Sequence, residues 1–425
     1  MNKVNNYLIF WFGQAVSQLG SSMSSFALTI WVFKQTGSAM SVSLLSFCSY
    51  LPYVLVSLLA GGFVDKHSKK SILIFSDTIA AIGSISIFFG IQINMLSIWH
   101  IYFINIIIGF MNAFQSPTAS IVTGVLVPQG QYEKASGLNS FSSNLVPVAA
   151  PVLAGMFMAL AGLKLVLLID FLSFLFAVGT VLLVVIKEPA SQEETTGLDK
   201  PFQGLKDGWK FLRQNKGILY IMFSMAFINF FSRLTYENIL SPMILSRSGG
   251  NSTIYGIVSG VLGIGGIIGG VWVTAGRRKN PLKMIYFSAA ISFLFGDLLM
   301  GVGRNLWVWC IAGLAASVPI PFVMAGQSLI LYQIVPAKMQ GRIFAIRNAV
   351  QYSTIPVGIL LGGYLADYVF EPFMASNYTI SAILQRIVGN GSGSGMAVMF
   401  LCTGILGTFF SCLAYKNKYI QRLKP

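Results

Sequence analysis

Charge is what this chain has least of. Asp, Glu, Lys and Arg make up 10% of its 425 residues, where an ordinary soluble domain carries about 25%. With 55% of the side chains hydrophobic, no soluble fold of this length buries so much apolar surface and stays wettable. The composition therefore points to a polytopic membrane protein. Reactive side chains are scarce as well. Cys48, Cys310, Cys402 and Cys412 all stand in apolar runs, without disulfide-framework or metal-ligand spacing, and read as small space-fillers. The two histidines, His67 and His100, fall in different segments, so no metal site and no cofactor is expected. No Ser/His/Asp or Cys/His cluster argues for an enzyme. No Gly-Lys dipeptide occurs, which removes the phosphate-binding loop of an ATP-driven pump. No segment reads as the selectivity filter of a channel.

Long apolar runs are what the chain has in abundance. About 20 such residues cross the hydrocarbon core as a helix. Runs of this size lie near 7–33, 41–64, 71–93, 97–122, 139–161, 165–186, 217–246, 253–275, 283–303, 306–333, 348–369 and 395–415. They are continuous rather than alternating, which excludes a strand barrel. The expected fold is all-α, with twelve transmembrane helices in two six-helix halves, 1–187 and 217–425, joined by a cytoplasmic linker at 188–216. The first run is too long for a signal peptide and reads as the first span. Lys and Arg crowd alternate connections, at Lys66, Lys69 and Lys70, at Lys187 to Lys216, at Arg277 to Lys283, at Lys338 to Arg347 and beyond Lys416. The positive-inside rule puts those connections and both termini in the cytoplasm, with the protein in the plasma or inner membrane. The net charge of +15 then reports topology, not nucleic-acid binding.

Within the linker, "GLKDGWKFLRQN" reads either as an amphipathic helix with Trp209, Phe211 and Leu212 toward lipid, or as a solvated loop. A second polar segment, near 370–394, ends in the flexible tract "GNGSGSG". The halves look related. "GGFVDKHSKK" at Gly61 is echoed by "GGVWVTAGRR" at Gly269. "LVP" at 126–128 is echoed by "IVP" at 334–336, and Pro147-Val148 by Pro356-Val357. One offset of about 208 residues holds throughout, as expected of a duplicated six-span unit.

The loop Gly61-x-x-x-Asp65-Lys66-x-Ser68-Lys69-Lys70 resembles the signature loop of the major facilitator superfamily, with Ser68 in place of the usual Gly. Further stretches resemble the bacterial macrolide-efflux and enterobactin-exporter subgroup: "TGSAMSVSLLSFCSYLPYVLVSLLAGG", "FQSPTASIVTGVLVPQGQYEKASGLNS", "LIDFLSFLF" and "QGRIFAIRNAV". The resemblance implies that Gly61, Asp65, Lys66, Lys69 and Lys70 form an inner gate loop. In the second-half copy Val273 stands where the Asp would be and only Arg277 and Arg278 survive. "NLVPVAAPVLAG" resembles the antiporter motif of exporters, on Pro147, Pro151 and Gly155, with Ala at two of its Gly positions. The implied function is export of a small amphipathic compound (a macrolide-like drug, a siderophore or a secondary metabolite) by proton antiport and alternating access. Proton-coupled uptake of a small nutrient stands as the alternative, and a non-transporting receptor or scaffold as a distant third. The implied partners are that small molecule, protons and the lipid bilayer, with the protein a monomer.

Ionisable residues inside spans are expensive, at about 2.5–3.5 kcal/mol for a central charge, so each needs a reason. Arg233 and Glu237 lie four residues apart on a span that the resemblance makes cavity-lining, roughly 24 Å above its inner end for Arg233. They read either as a proton-coupling carboxylate set by its Arg or as a structural pair at the outer gate. Asp77 reads as a further coupling candidate or as a structural acid near the gate loop. Asp170 and Asp297 are expected to tie outer helix ends together. Candidate cavity residues are Gln14, Ser17 and Gln18 on the first span, Asn105, Asn112 and Gln115 on the fourth, Tyr236 on the seventh and Tyr352 on the eleventh.

Overall fold

A computed structural model describes residues 3–128, 131–185, 201–275 and 280–423. Among them the regular structure is helical. In chain order the helices are α1 (Lys3–Thr36), α2 (Ala39–Lys66), α3 (Lys69–Gln92), α4 (Ile98–Leu126), α5 (Tyr132–Leu183), α6 (Pro201–Gln214), α7 (Lys216–Thr235), α8 (Leu240–Arg247), α9 (Ser252–Ala275) and α10 (Pro281–Ile291). A π-helical turn (Ser292–Asp297) leads into α11 (Leu298–Val302), followed by α12 (Leu306–Ser317), α13 (Ile320–Ile334) and α14 (Ala337–Leu365). A second π-helical turn (Ala366–Phe370) leads into α15 (Glu371–Ala375), then α16 (Thr379–Val388), α17 (Ser394–Lys416) and α18 (Lys418–Gln421).

Ten stretches among the described residues are long and apolar enough to cross a membrane. The stretch Lys134–Leu183 covers two of the expected spans; α1 covers the run expected as the first but is not one of the ten. The two merged spans part at Gly162, whose φ of 71° is open to Gly without a side-chain penalty. This all-helical, multi-pass architecture is the one the apolar runs predict. A lipid-embedded chain must satisfy its backbone polar groups internally, which helices do.

The chain forms two compact units. The first comprises Met1–Gly37, Leu44–Glu193 and Asn251–Gly260, and the second Ser38–Ser43, Glu194–Gly250 and Val261–Pro425. In the first unit, Tyr7 and Phe10 of α1, Leu73 of α3, Val122 of α4 and Val181 of α5 form one apolar cluster. In the second, Ile221 and Met225 of α7 pack with Leu282, Ile285 and Tyr286 of α10 and with Ile330 of α13.

Two of the sequence expectations change here. The linker segment does form a helix, α6, but its apolar face is turned into the protein. Leu212 is fully buried against Ile218, Met222, Leu331, Val335 and Ile343, with Phe211 packed on the same cluster, while Trp209 stays partly exposed. The helix has a protein groove available between α7 and α14, which a sequence pattern cannot distinguish from lipid. The tract after α16 is also built rather than loose. Gly389, Gly391 and Gly393 take φ of +94°, +96° and +88°, conformations open to Gly. Arg247 donates to the carbonyls of Val388, Gly301 and Gly303, and Arg304 to those of Arg386 and Ile387, both at 3.1 Å. Two guanidinium groups thus cap the carbonyl end of α16, where the helix dipole favours cations.

Candidate functional site

Two of the polar clusters within the spans, one in each unit, hold the ionisable residues singled out as coupling candidates. The first is built on Asp77, which is 3% exposed. Gln115 of α4 donates to its Oδ1, and Gln14 of α1 lies beside the same carboxylate. Asp77 Oδ2 and Gln14 Nε2 are both buried without a full hydrogen bond. Three residues singled out separately from the sequence therefore meet at one point where α1, α3 and α4 come together. The polar stripe on α1 is divided. Gln14 faces Asp77, Ser17 is buried and Gln18 is exposed. Ser21 donates to Asp170 at 3.2 Å, and Ser84 of α3 donates to the other oxygen at 2.8 Å. On α4, Asn105 is buried and donates to its own Ile101 carbonyl at 2.9 Å, while Asn112 is exposed.

The second centre sits where the seventh span breaks. Pro242 has no N–H to offer the Asn238 carbonyl one turn earlier, and residues 236–239 form turns between α7 and α8. Arg233 in the last turn of α7 and Glu237 in the break form an ion pair, with the side chains 35% and 24% exposed. A guanidinium at the carbonyl end of α7 also suits the helix dipole. Gly358 lets α14 pass close to Arg233: a Cβ there would lie 3.3 Å from the Arg233 Cβ and from the Phe230 carbonyl. Gly362, one turn on, does the same against Leu234. Asn238 is fully buried and bridges the Ile359 carbonyl, at 2.8 Å, and the Ser43 hydroxyl. Tyr236 does not stand free in a cavity. Its ring meets Phe400 edge-on at 5.2 Å, and its buried hydroxyl turns toward Asp297, which also accepts from Thr403 at 2.7 Å. Tyr352 is 48% exposed.

The antiporter-like residues lie on a close helix crossing inside the first unit. A Cβ on Gly155 would meet the Ser252 carbonyl at 2.7 Å, and one on Gly256 the Pro151 carbonyl at 2.5 Å. Ser252 donates to the Gly155 carbonyl at 3.1 Å, and Phe26 stacks on Tyr255 at 4.4 Å. Pro147 is exposed on the same helix. Small residues at such crossings allow backbone-to-backbone packing in membranes.

For the gate loop, Lys70 donates to the carbonyls of Leu182 and Val184 at 3.0 and 3.1 Å, at the end of α5, and Lys69 to that of His67 at 3.1 Å. The side chains of Gly61, Asp65 and Lys66, and the second-half Arg277 and Arg278, lie outside the described residues. Sequence reasoning missed Asn238, Thr403, Asp367 and Glu371. The signal for each was a lone polar residue in or beside an apolar run, which marks a candidate without naming its partner.

Solved transporters share the architecture. A bacterial homologue of the iron transporter ferroportin, in its inward-facing state, superposes with a TM-score of 0.71 over 98% of this chain and 100% of its own, at 13% identity. A bacterial homologue of the human lysosomal transporter Spinster gives 0.67 over 100% and 98%, also at 13% identity. Family and relatives together make this an MFS-type transporter rather than an enzyme. The chain belongs to the transmembrane secretion effector family, whose profile matches residues 3–388. It is 28% identical to macrolide efflux protein A of Streptococcus pyogenes over 87% of this chain and 92% of that one. It is 26% identical to multidrug resistance protein MdtG of Proteus mirabilis over 86% and 90%.

Proposed function

We propose that the chain exports a small amphipathic compound of the macrolide kind in exchange for protons. In this reading it works as a monomer in the cell membrane with both termini in the cytoplasm. The efflux and drug-resistance relatives support the direction and the substrate class. The observation that carries the coupling is the Arg233–Glu237 pair, an ion pair held in an apolar span beside a helix break and open in part to solvent. Broken helices lining a binding site are a recurring transporter device. Glu237 is the coupling carboxylate and Arg233 holds it in place. A proton on Glu237 loosens the pair, and its loss restores the pair. Asp77, with Gln14 and Gln115 as neutral donors, is the structural acid that organises the first centre. The halves 1–187 and 217–425, joined by 188–216, rock to expose these groups to alternate sides, with Gly61, Asp65, Lys66, Lys69 and Lys70 as the inner gate and Pro147, Pro151 and Gly155 as a pivot. Gln18, Asn112 and Tyr352, exposed in the structure, offer contacts to the solute.

Accumulation of a labelled macrolide in cells making the protein tests this. Reduced accumulation, restored by a protonophore, is the expected result. Raised accumulation identifies uptake. An unchanged level for the folded protein across a panel of amphipathic compounds rejects transport of this class.

A further inference from the structure

The outer end of the eleventh span, as the sequence orients it, carries two acids four residues apart across the second π-helical turn, and each caps the start of another helix. Asp367 accepts from the Ser38 hydroxyl at 2.6 Å and from the backbone N–H groups of Ala39 and Met40 at 3.0 and 2.9 Å. These are the first groups of α2. A carboxylate at that position satisfies N–H groups that have no partner within their own helix and meets the positive end of its dipole. Gly363, one turn before Asp367, lets α2 lie against α14. A Cβ there would come within 2.9 Å of Met40 Cα and clash with Ser43. Asn238 adds a bond to the Ser43 hydroxyl. Glu371 repeats the arrangement on α17, accepting from Met396 N at 3.0 Å and Gly393 N at 3.3 Å.

The two caps differ in what they hold. α17 belongs wholly to the second unit. α2 is one unbroken helix whose first residues, up to Ser43, group with the second unit, while Leu44 onward groups with the first. If the units move against each other, Glu371 and its partners travel together, but the start of α2 cannot follow both. We propose that Asp367 is a functional residue of the transport cycle. It is a releasable latch that holds the second span's first turn to the end of the eleventh in the state seen here, and it lets go when the predicted outer side opens. Glu371 is the fixed counterpart that keeps the outer end of α14 and α15 rigid while the latch works. The inference rests on the alternating-access reading above. A π-helical turn between the acids suits the role, because such turns re-aim side chains within a helix and recur at functional sites.

Cross-linking and labelling separate the latch from that reading. In full-length protein with the native cysteines replaced, the pair Ser38→Cys with Asp367→Cys is joined by a short methanethiosulfonate cross-linker. The pair Met396→Cys with Glu371→Cys serves as the comparison. The expected result is that the first cross-link stops whatever transport of the labelled macrolide the reduced Ser38→Cys/Asp367→Cys pair retains, that reductant returns it to that pair's own uncross-linked rate, and that the second cross-link leaves the rate of its own reduced pair unchanged. Full transport through the Ser38–Asp367 cross-link, or equal loss from both cross-links, overturns the latch.

A second readout needs no substrate. Met40→Cys is labelled with a membrane-impermeant maleimide in Asp367→Ala and Glu371→Gln backgrounds. Losing bonds to a charged acceptor is expected to raise the rate about tenfold in the first background and not in the second. An unchanged rate in Asp367→Ala, or the same rise in Glu371→Gln, overturns the proposal. If labelling behaves as expected while no compound is transported, the latch stands and the assignment of cargo falls.

Discussion

The two polar centres answer one problem in opposite ways. Each must keep a carboxylate inside an apolar span. In the first unit Asp77 is sealed, 3% exposed, and is met by the neutral amides of Gln115 and Gln14. In the second, Glu237 has a cation beside it and keeps 24% of its side chain exposed. A sealed acid with neutral donors exchanges protons only when helices move apart. A half-open ion pair is reachable by water where it stands. Under the proposed function, the contrast corresponds to rigid organisation in the first centre and coupling in the second, and it can be broken by substitution.

The largest effect is expected from Glu237→Gln. Proton-driven transport should fall to background in vesicles while the protein still reaches the membrane, and its dependence on external pH should flatten. If the pH profile is unchanged, the coupling group lies elsewhere. Arg233→Ala comes next. Stranding the partner of a partly exposed pair should lower stability by about 1–2 kcal/mol, read by thermal unfolding in detergent. The double substitution Arg233→Ala with Glu237→Ala should recover most of that stability without recovering transport. Asp77→Asn is expected to do less. It keeps an acceptor for Gln115, so transport should fall less than in Glu237→Gln, with the pH profile unmoved. A profile shifted as far as that of Glu237→Gln would move the coupling acid into the first unit. Smallest for transport is Gln115→Leu, which removes one buried donor and should cost about 1–3 kcal/mol of stability with transport per folded molecule retained.

Much of this was legible in the residue order. The apolar runs marked where the membrane-length helices fall, but the seventh run, read as continuous over 217–246, hid the turns at residues 236–239. The spacing of Arg233 and Glu237 put them on one helix face, and the structure pairs them. Asp77, Gln14 and Gln115 each stood out as polar groups in apolar runs, but their meeting did not, because they are separated by long stretches of chain and helical period says nothing about which helix lies alongside. Tyr236 shows the same limit from the other side. Its place on the span pointed to a cavity, and its partners are Phe400 and Asp297. Leu212 was read either as facing lipid or as part of a solvated loop, and faces Ile343 and Val335 instead, since an apolar helix face suits lipid and protein alike.

By itself the sequence determined that this chain lives in lipid as a bundle of helices, because hydrophobic length and scarcity of charge leave no other way to satisfy the backbone. Which polar groups meet was decided only by tertiary structure. A carboxylate in an apolar span takes whichever donor a neighbouring helix brings within about 3 Å. That choice depends on close approaches at Gly155, Gly358, Gly362 and Gly363, where helices touch backbone to backbone.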